Sequence, residues 1–341
     1  MTTVELSRDT IPTTMRALRV NELADDFAGC AVETIAVPSP GPGEALVRIR
    51  ACSVGFPDLL MTRGAYQHKP AMPFTPGSDI AGDVVAVGEG VSNVKPGDAV
   101  VATALGGGFG QYAVFNAEVL RPKPASLDYP AASAFGAAYL TAYVSLVRRA
   151  QMQPGEWVLV HGASGGVGLA AVDLAKALGA RVIAASASDD KLATVASEYA
   201  VDATVNVSNG FKDRVKEITG GAGADIVYDP VGGDVFDESV RCIAFNGRLL
   251  VIGFTSGRLP TLQVNLALIK GFSVVGVRAG EFGRRFPELG RENMKAIWDL
   301  AESGKVRPRV HAVVPLSAWR DGFKMMESRS VVGRVVIVPD N

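Results

Sequence analysis

The sequence predicts a two-part α/β chain, with a mostly β first part and a second part built on a parallel sheet covered by helices on both faces. Three observations carry this. Residues 157–186, WVLVHGASGGVGLAAVDLAKALGARVIAAS, spell strand, glycine turn, helix and strand, the βαβ unit that holds a dinucleotide in about 30 residues. After Asp128-Tyr129-Pro130, β-branched runs alternate with helical periodicity, the pattern of a doubly wound sheet. Before that point, short strand patterns are separated by Pro- and Gly-rich turns.

Within the βαβ stretch, Trp157 to His161 form a largely apolar strand. Val167, Ala171, Leu174 and Leu178 then repeat at the spacing of one buried helical face. Gly179 is a natural stop, and Arg181 to Ser186 returns as the second strand. The turn Ala163-Ser164-Gly165-Gly166-Val167-Gly168 is an A-x-G-x-x-G version of the dinucleotide fingerprint. Ala163 is read as the tight turn, Gly165 as the place where backbone approaches a pyrophosphate, and Gly168 as the close contact between helix and strand. Unpaired N–H groups at the helix start then face the phosphates. A glycine cluster alone is a plain turn; here the flanking elements fit a bound cofactor.

At 341 residues the chain is long enough for two domains and a substantial core. Its 34 basic and 35 acidic residues nearly cancel and form no basic run, which argues against a nucleic-acid partner. Cys30, Cys52 and Cys242 are too few and too scattered for a disulfide framework or a four-cysteine zinc lobe. The start, MTTVELSRDTIPTT, is polar and lacks an apolar signal core. Ala131 to Val147 is interrupted by Ser133, Gly136, Tyr139, Thr141, Tyr143 and Ser145, so it reads as a buried Ala-rich helix and not a membrane span. The expectation is a soluble, cytoplasmic protein.

Taken in order, residues 1–14 read as a loose extension. Strand patterns follow in MRALRV, AVETIAV and, after the turn PSPGPGE, in EALVRIRAC, which alternates apolar and charged positions. Phe56 to Phe74 is rich in Pro, Gly and aromatics and predicts no long helix. DIAGDVVAVGEG, DAVVATAL and FGQYAVFNAEVL continue the β pattern. In the second part, strands are predicted at Ala203 to Val207, Asp225 to Tyr228, Arg248 to Ile252 and Phe272 to Val277. Helices are predicted at Lys191 to Tyr199, Phe211 to Thr219, Val235 to Ile243, Asn265 to Lys270 and Glu288 to Ser303. The closing HAVVPL, a short helix and GRVVIVP have no room to fold alone and are expected to return to the first domain. The expected division is 1–131 with 278–341, and 132–277.

The order of β domain, nucleotide-binding unit and returning tail resembles the medium-chain dehydrogenase/reductase superfamily. FPDLL with RGAY, PFTPGSDIAGDVVAVGEGV, AAYLTAY, HGASGGVG, VYDPVGGDVF and GRLLVIGFTSG narrow the resemblance to its zinc-independent quinone oxidoreductase branch, over nearly the whole chain from Met15. The resemblance implies a GroES-like catalytic domain, a Rossmann cofactor domain, and NADPH-dependent hydride transfer to quinones or to activated, electron-poor double bonds. Zinc-dependent relatives have a cysteine where Gly55 stands, and their Gly-His-Glu reads Gly77-Ser78-Asp79 here. Without that Cys and His no tetrahedral N/S site can be built. The quinone branch commonly has Asn at Gly55, near the nicotinamide, and often a tyrosine near the adenosine where Val207 stands.

NAD-specific folds carry an acid at the end of the second strand for the ribose 2′-OH. Here that end is Ser186, which admits a 2′-phosphate. Ser188 and Lys191, at the next helix start, offer a phosphate pocket on one reading, and an N-cap with a solvated lysine on the other. Asp189 and Asp190 suit the second. By resemblance, Thr141 meets the nicotinamide ribose or phosphate, and Val231, Phe254 and Thr255 lie at strand carboxyl ends where the cofactor sits; ordinary core packing is the competing reading of Phe254. The family's site lies in the cleft between domains, lined here by Phe56, Leu59, Tyr66 and Phe74. Tyr66 is either the hydroxyl that hydrogen-bonds the substrate oxygen or an anchor for its loop. Asp58 reads as a loop cap, His161 as packed, His68 as an exposed bystander and Cys52 as buried and inert.

The resulting expectation is an NADPH:quinone oxidoreductase. A reductase of conjugated C=C bonds in enoyl thioesters or alkenals is the alternative, with Arg278, Arg284 and Arg285 available to an acyl-CoA phosphate or else forming a solvated face. A non-catalytic nucleotide-binding protein is a third reading. The valine-rich strand Phe272 to Val277 is an exposed edge, which relatives pair across a two-fold axis, so a homodimer is expected.

Overall fold

The structure is a computed structural model and describes residues 11–340; most of the expected loose extension and polar start lies outside the described residues. The chain forms two compact units. The first holds the described residues up to Lys123, together with Val313–Ser328 and the residues from Val336 onward; the second holds Pro124–Ala312 and Arg329–Val335.

In the first unit, β1 (Thr14–Val20) and β2 (Cys30–Ala36) form an antiparallel ribbon. A larger sheet follows from β3 (Glu44–Ser53), β4 (Asp79–Val87), β5 (Ala99–Thr103), β6 (Tyr112–Asn116) and β7 (Arg121–Pro122). β3 is its hub, pairing antiparallel with β4 and with β6. Its alternating pattern buries Val47 and Ile49 while Arg50 turns outward to meet Asp83 at 2.7 Å. The stretch with no predicted long helix contains a short one, α1 (Phe56–Thr62), opened by Gly55 and Pro57. Phe323 packs edge to face with Phe27, Phe109 and Trp319, and Phe27 also with Trp319, at ring centroid distances of 5.2–6.2 Å, geometry that adds to plain burial.

The second unit opens with α2 (Tyr129–Tyr143), capped by the Asp128 carboxylate on the Ala131 N–H at 2.8 Å. It continues as a π-helical turn over Val144–Arg149. Then come β8 (Trp157–Val160), α3 (Gly166–Ala177), β9 (Arg181–Ser186), α4 (Asp189–Tyr199), β10 (Ala203–Asn206), α5 (Lys212–Ile218), β11 (Ala224–Asp229), α6 (Gly233–Cys242), β12 (Ile243–Val251), α7 (Val264–Lys270), β13 (Ser273–Gly276), α8 (Ala279–Arg285) and α9 (Pro287–Glu302). All neighbours in the sheet are parallel, in the order β10-β9-β8-β11-β12-β13. Alternate strand residues separate two cores. Val158, Val160 and Ile226 pack with Phe135, Leu169 and Ile297 on one face; Leu159, Ile183 and Val227 pack with Phe211, Val215 and Phe236 on the other. This is the doubly wound arrangement the alternation predicts.

Residues 278–312, expected with the first domain, cluster with the second. The reason is packing: Ile297 and Ala301 of α9 are fully buried beside Phe135, and the Trp298 ring meets Phe135 edge-on at 5.2 Å. Likewise residues 124–131 are held there, in part by the Ala125 N–H on Glu302 Oε1 at 2.7 Å. Tyr129–Arg149 is, among the described residues, the one helix long and apolar enough to cross a membrane. Here its Phe135, Ala138, Tyr139 and Ala142 are buried in the core. After α9 the chain forms β14 (Val310–Pro315), α10 (Trp319–Glu327) and β15 (Arg334–Val338); Val336 and Ile337 pair with Ser53 and Cys52 of β3.

Candidate active site

The fingerprint turn lies between β8 and α3, and β8 is the strand at which the sheet order reverses toward β11. Ligands of open parallel sheets sit at this switch point, at the carboxyl ends of the strands. The left-handed residue of the turn is Gly162, at φ 57°, and not Ala163, which is buried with its N–H on Ala185 O at 3.1 Å. Gly168 is the close contact: a Cβ there would stand 2.1 Å from Gly162 O. At Gly165 a Cβ would meet only Gly162 O, at 3.4 Å, so this face of the turn is open. No side chain caps the start of α3, the kind of helix end whose N–H groups suit an anion. Ser164 O instead accepts the Gly333 N–H at 2.8 Å, and the Arg334 side chain lies against Gly166, where a Cβ would stand 2.2 Å from Arg334 Nε. Val167 is half-buried at the first turn of the helix. An open glycine at an uncapped helix start fits a dinucleotide pyrophosphate.

Val231, Phe254 and Thr255 come together at the carboxyl ends of β11 and β12. The Asp229 carboxylate, 2 % exposed, accepts the Val231 and Gly232 N–H groups on Oδ1 at 2.8 and 2.9 Å. Burial pushes its carboxyl above the ordinary range while those two donors pull it down. Thr255 and Ser256 N–H then donate to Pro230 and Val231 carbonyls at 3.1 and 3.0 Å, locking one loop onto the other. Phe254 is 42 % exposed, so core packing does not account for it. Asp229 is a residue the sequence reading missed, although an acid three residues before a strand-end glycine pair is an Asx-turn signal. Thr141 lies on α2 with its hydroxyl donated to Ala137 O at 2.8 Å, leaving its lone pairs as acceptors.

At the end of β9, Ser186 is half-buried and its carbonyl accepts the Val207 N–H at 3.1 Å. Ser188 is the N-cap of α4, accepting the Lys191 N–H at 3.5 Å, with Asp189 and Asp190 in the first turn. Ser188 thus caps α4, with the two acids at the positive end of its dipole. Lys191 nevertheless turns inward, its ammonium on the Arg329 carbonyl. Partial burial and the Arg329 charge push that ammonium below the ordinary lysine range. Arg329, itself at φ 52°, donates from Nη2 to Thr255 O at 2.9 Å. No spacing rule in the sequence pointed to Arg329, which lies 138 residues from Lys191.

His161 is packed. Ser239 donates to Val235 O at 2.7 Å, so His161 Nε2, 2.8 Å from Ser239 Oγ, is the donor of that pair. Burial pushes the imidazole down to about 3, so it is neutral at pH 7.

In the first unit, Tyr66 follows α1, half-buried, with no hydrogen-bond partner for its hydroxyl among the described residues. Phe56 is 48 % exposed, while Leu59 and Phe74 are buried. Asp58 is buried and caps α1, accepting the Gly55 N–H at 2.7 Å. Burial, with Asp58 and Asp79 nearby, pushes the Cys52 thiol far above its ordinary range, which removes it as a nucleophile. No group of three His, Cys, Asp or Glu side chains able to hold a metal occurs among the described residues. Arg284 and Arg285 both pair with Glu281, at 2.8 and 2.7 Å, a solvated face of α8.

The comparisons with known proteins follow the same division. Residues 41–125 match the alcohol dehydrogenase GroES-like domain, and residues 166–301 match the zinc-binding dehydrogenase family. The chain is 37% identical over 326 residues to a quinone oxidoreductase-like protein 2 homolog of Nematostella vectensis, covering 94% of this chain and 88% of the relative. The chain belongs to the medium-chain dehydrogenase/reductase superfamily. Within it, the chain falls in the quinone oxidoreductase branch. The quinone oxidoreductase of Homo sapiens is 33% identical over 328 residues, 95% of this chain and 98% of that one. Among solved structures, a probable oxidoreductase from Mycobacterium abscessus superposes with a TM-score of 0.87 at 37% identity, covering 96% of this chain and 100% of that one. The CurK enoyl reductase superposes at 0.85 and 25% identity, covering 96% and 100%. The chain is accordingly an oxidoreductase of this superfamily, acting on a small molecule with a nicotinamide cofactor.

Proposed function

We propose that this member of the quinone oxidoreductase branch reduces quinones with NADPH and without zinc. The observation that carries the cofactor choice is the corner at the end of β9, where the neutral Ser186 stands with Lys191 and Arg329 nearby and no acid occupies the strand end. Two cations and an uncharged strand end suit a 2′-phosphate, whereas an acid there would repel it. The quinone follows from the branch, and relatives named for quinone reduction support it. Gly55 and Ser78, standing where zinc-dependent relatives have Cys and His, remove the soft ligands a zinc site needs.

When bound, the nicotinamide supplies the hydride. The N–H groups at the start of α3 hold the pyrophosphate, with Ala163, Ser164, Gly165, Gly166, Val167 and Gly168 as its cradle. Asp229 fixes the Val231 turn, and Val231, Phe254, Thr255 and Thr141 shape the nicotinamide end. Tyr66, whose hydroxyl is uncommitted, hydrogen-bonds the oxygen of the electrophile as negative charge grows on it. We place the enzyme in the cytoplasm as a homodimer.

A second reading, reduction of a conjugated C=C bond, draws on the CurK likeness. The deciding experiment follows NADPH and NADH oxidation against benzoquinones and naphthoquinones, enoyl thioesters and alkenals. We expect quinones to give the highest kcat/KM, with NADPH preferred over NADH by at least about tenfold, or about 1.4 kcal/mol. Turnover of enoyl thioesters alone establishes the second reading. Tight NADPH binding without turnover of any electrophile defeats both.

A further inference from the structure

The backbone of residues 329–334 runs from the proposed 2′-phosphate corner to the fingerprint turn. At one end the Arg329 carbonyl takes the Lys191 ammonium, and Arg329 Nη2 reaches Thr255 O at 2.9 Å. At the other, the Gly333 N–H donates to Ser164 O at 2.8 Å and the Arg334 N–H to Arg309 O at 3.0 Å. Arg329 sits at φ 52°, a left-handed conformation that a residue with a side chain keeps only where its surroundings hold it.

Between those ends, two side chains from the start of β14 grip Val332. Arg309 Nη1 donates to Val332 O at 2.7 Å, and His311 Nδ1 accepts the Val332 N–H at 3.4 Å. Burial, Arg309 and Lys191 push the His311 imidazole below its ordinary range, so at pH 7 it is neutral and able to accept. Gly333 permits the approach: a Cβ there, at φ 90°, would stand 2.3 Å from Arg309 O. Arg309 is in turn aimed by Glu198 of α4, whose Oε2 accepts its Nε–H at 2.8 Å. α4 therefore meets this backbone twice, through Lys191 of its first turn on Arg329 and through Glu198 of its last turn by way of Arg309 on Val332. The planar guanidinium makes both of its bonds at once because its N–H groups point in fixed directions, which a single ammonium on a flexible stem does not reproduce.

We propose that Arg309, aimed by Glu198, is a positioning residue for cofactor choice, fixing the backbone of residues 329–332 so that Lys191 and Arg329 stand where a 2′-phosphate meets them. This rests on the NADPH reading and adds to it the pair that keeps its two cations in place. It does not depend on which electrophile is reduced.

Fluorescence titration of the intact protein with NADPH and with NADH, at one pH and ionic strength, tests it. Arg309→Lys keeps the charge and loses the fork, so NADPH should bind about fivefold more weakly while NADH stays within about twofold of the parent. Glu198→Ala removes an acid from the corner, so charge alone would tighten NADPH, whereas loss of the aim should weaken it by about threefold and spare NADH. Because Glu198 lies at the surface, its variant also serves if Arg309→Lys does not fold. Lys191→Ala is measured alongside and should weaken NADPH alone. With Lys191→Ala separating the two cofactors, parent-like NADPH binding by Arg309→Lys, tighter NADPH binding by Glu198→Ala, or equal losses of both cofactors overturns the proposal. If Lys191→Ala does not separate them, the cofactor reading fails and the proposal falls with it.

Discussion

The cofactor choice rests on a single side chain, Ser186, and the surroundings sharpen that argument. Lys191 is not a free surface charge, because its ammonium lies on the Arg329 carbonyl and its titration is lowered by burial and by Arg329. Replacing Ser186 with Asp introduces a negative charge at the proposed 2′-phosphate position. At about 4 Å and an effective dielectric near 20, two unit charges interact by roughly 4 kcal/mol. Screening at a partly exposed strand end leaves about 1–3 kcal/mol, or about ten- to a hundredfold in affinity. Ser186→Asp should weaken NADPH by that factor and leave NADH nearly unchanged. Lys191→Ala should weaken NADPH less and spare NADH. Dissociation constants for both cofactors check this, and equal losses for NADPH and NADH with Ser186→Asp would remove the phosphate from this corner. Ser186 was legible because it lies at a fixed distance past the fingerprint. Arg329 was not, because no local period connects it to α4, and only the folded chain brings it to Lys191.

At the scale of the element, the glycines of the fingerprint divide into two physical kinds. Gly168 lets α3 lie against the turn, with a Cβ there 2.1 Å from the Gly162 carbonyl oxygen, whereas a Cβ at Gly165 would meet nothing closer than 3.4 Å. Gly165 also has an ordinary φ of −79°, so alanine costs it no backbone strain. Gly165→Ala should therefore melt within about 0.5 kcal/mol of the parent, as an unstrained substitution does, yet lose at least about tenfold in NADPH affinity because its methyl occupies the phosphate's approach. Gly168→Ala should lose stability outright, by about 1–3 kcal/mol as for an overpacked core site. Thermal unfolding alongside cofactor titration separates the two, and parallel behaviour of both variants contradicts the assignment. The sequence spacing marked these glycines but credited the tight turn to Ala163, where the backbone uses Gly162. Helices with an apolar stripe, such as α3 and α9, were legible as periodicity. The π-helical turn and α8 were not, since α8 buries only Ala279 and so shows no stripe.

For the whole molecule, the alternation of strands and helices carried the doubly wound sheet, but it did not place α9. Its amphipathic pattern says that one face is buried without saying against what, and the structure packs that face on α2. The same distinction governs assembly. Val264, Leu268 and Ile269 of α7 are 80, 84 and 70 % exposed, and Phe245 is 80 % exposed. Beside them β13, among the described residues, pairs only with β12 and presents an open edge, with Val274 also exposed. Exposed apolar side chains next to an open strand edge are costly in water and prone to pairing with another chain. A second copy related by a two-fold axis covers both features at once, since each edge strand meets its own image. We expect sedimentation equilibrium at micromolar concentration to give twice the chain mass. Leu268→Glu should shift that equilibrium to the monomer, because two-fold symmetry places every introduced charge in the interface twice. Cofactor affinity should be retained, since α7 contributes nothing to the fingerprint turn. A monomeric parent at that concentration, or a Leu268→Glu variant as fully dimeric as the parent, shows that this face has another role.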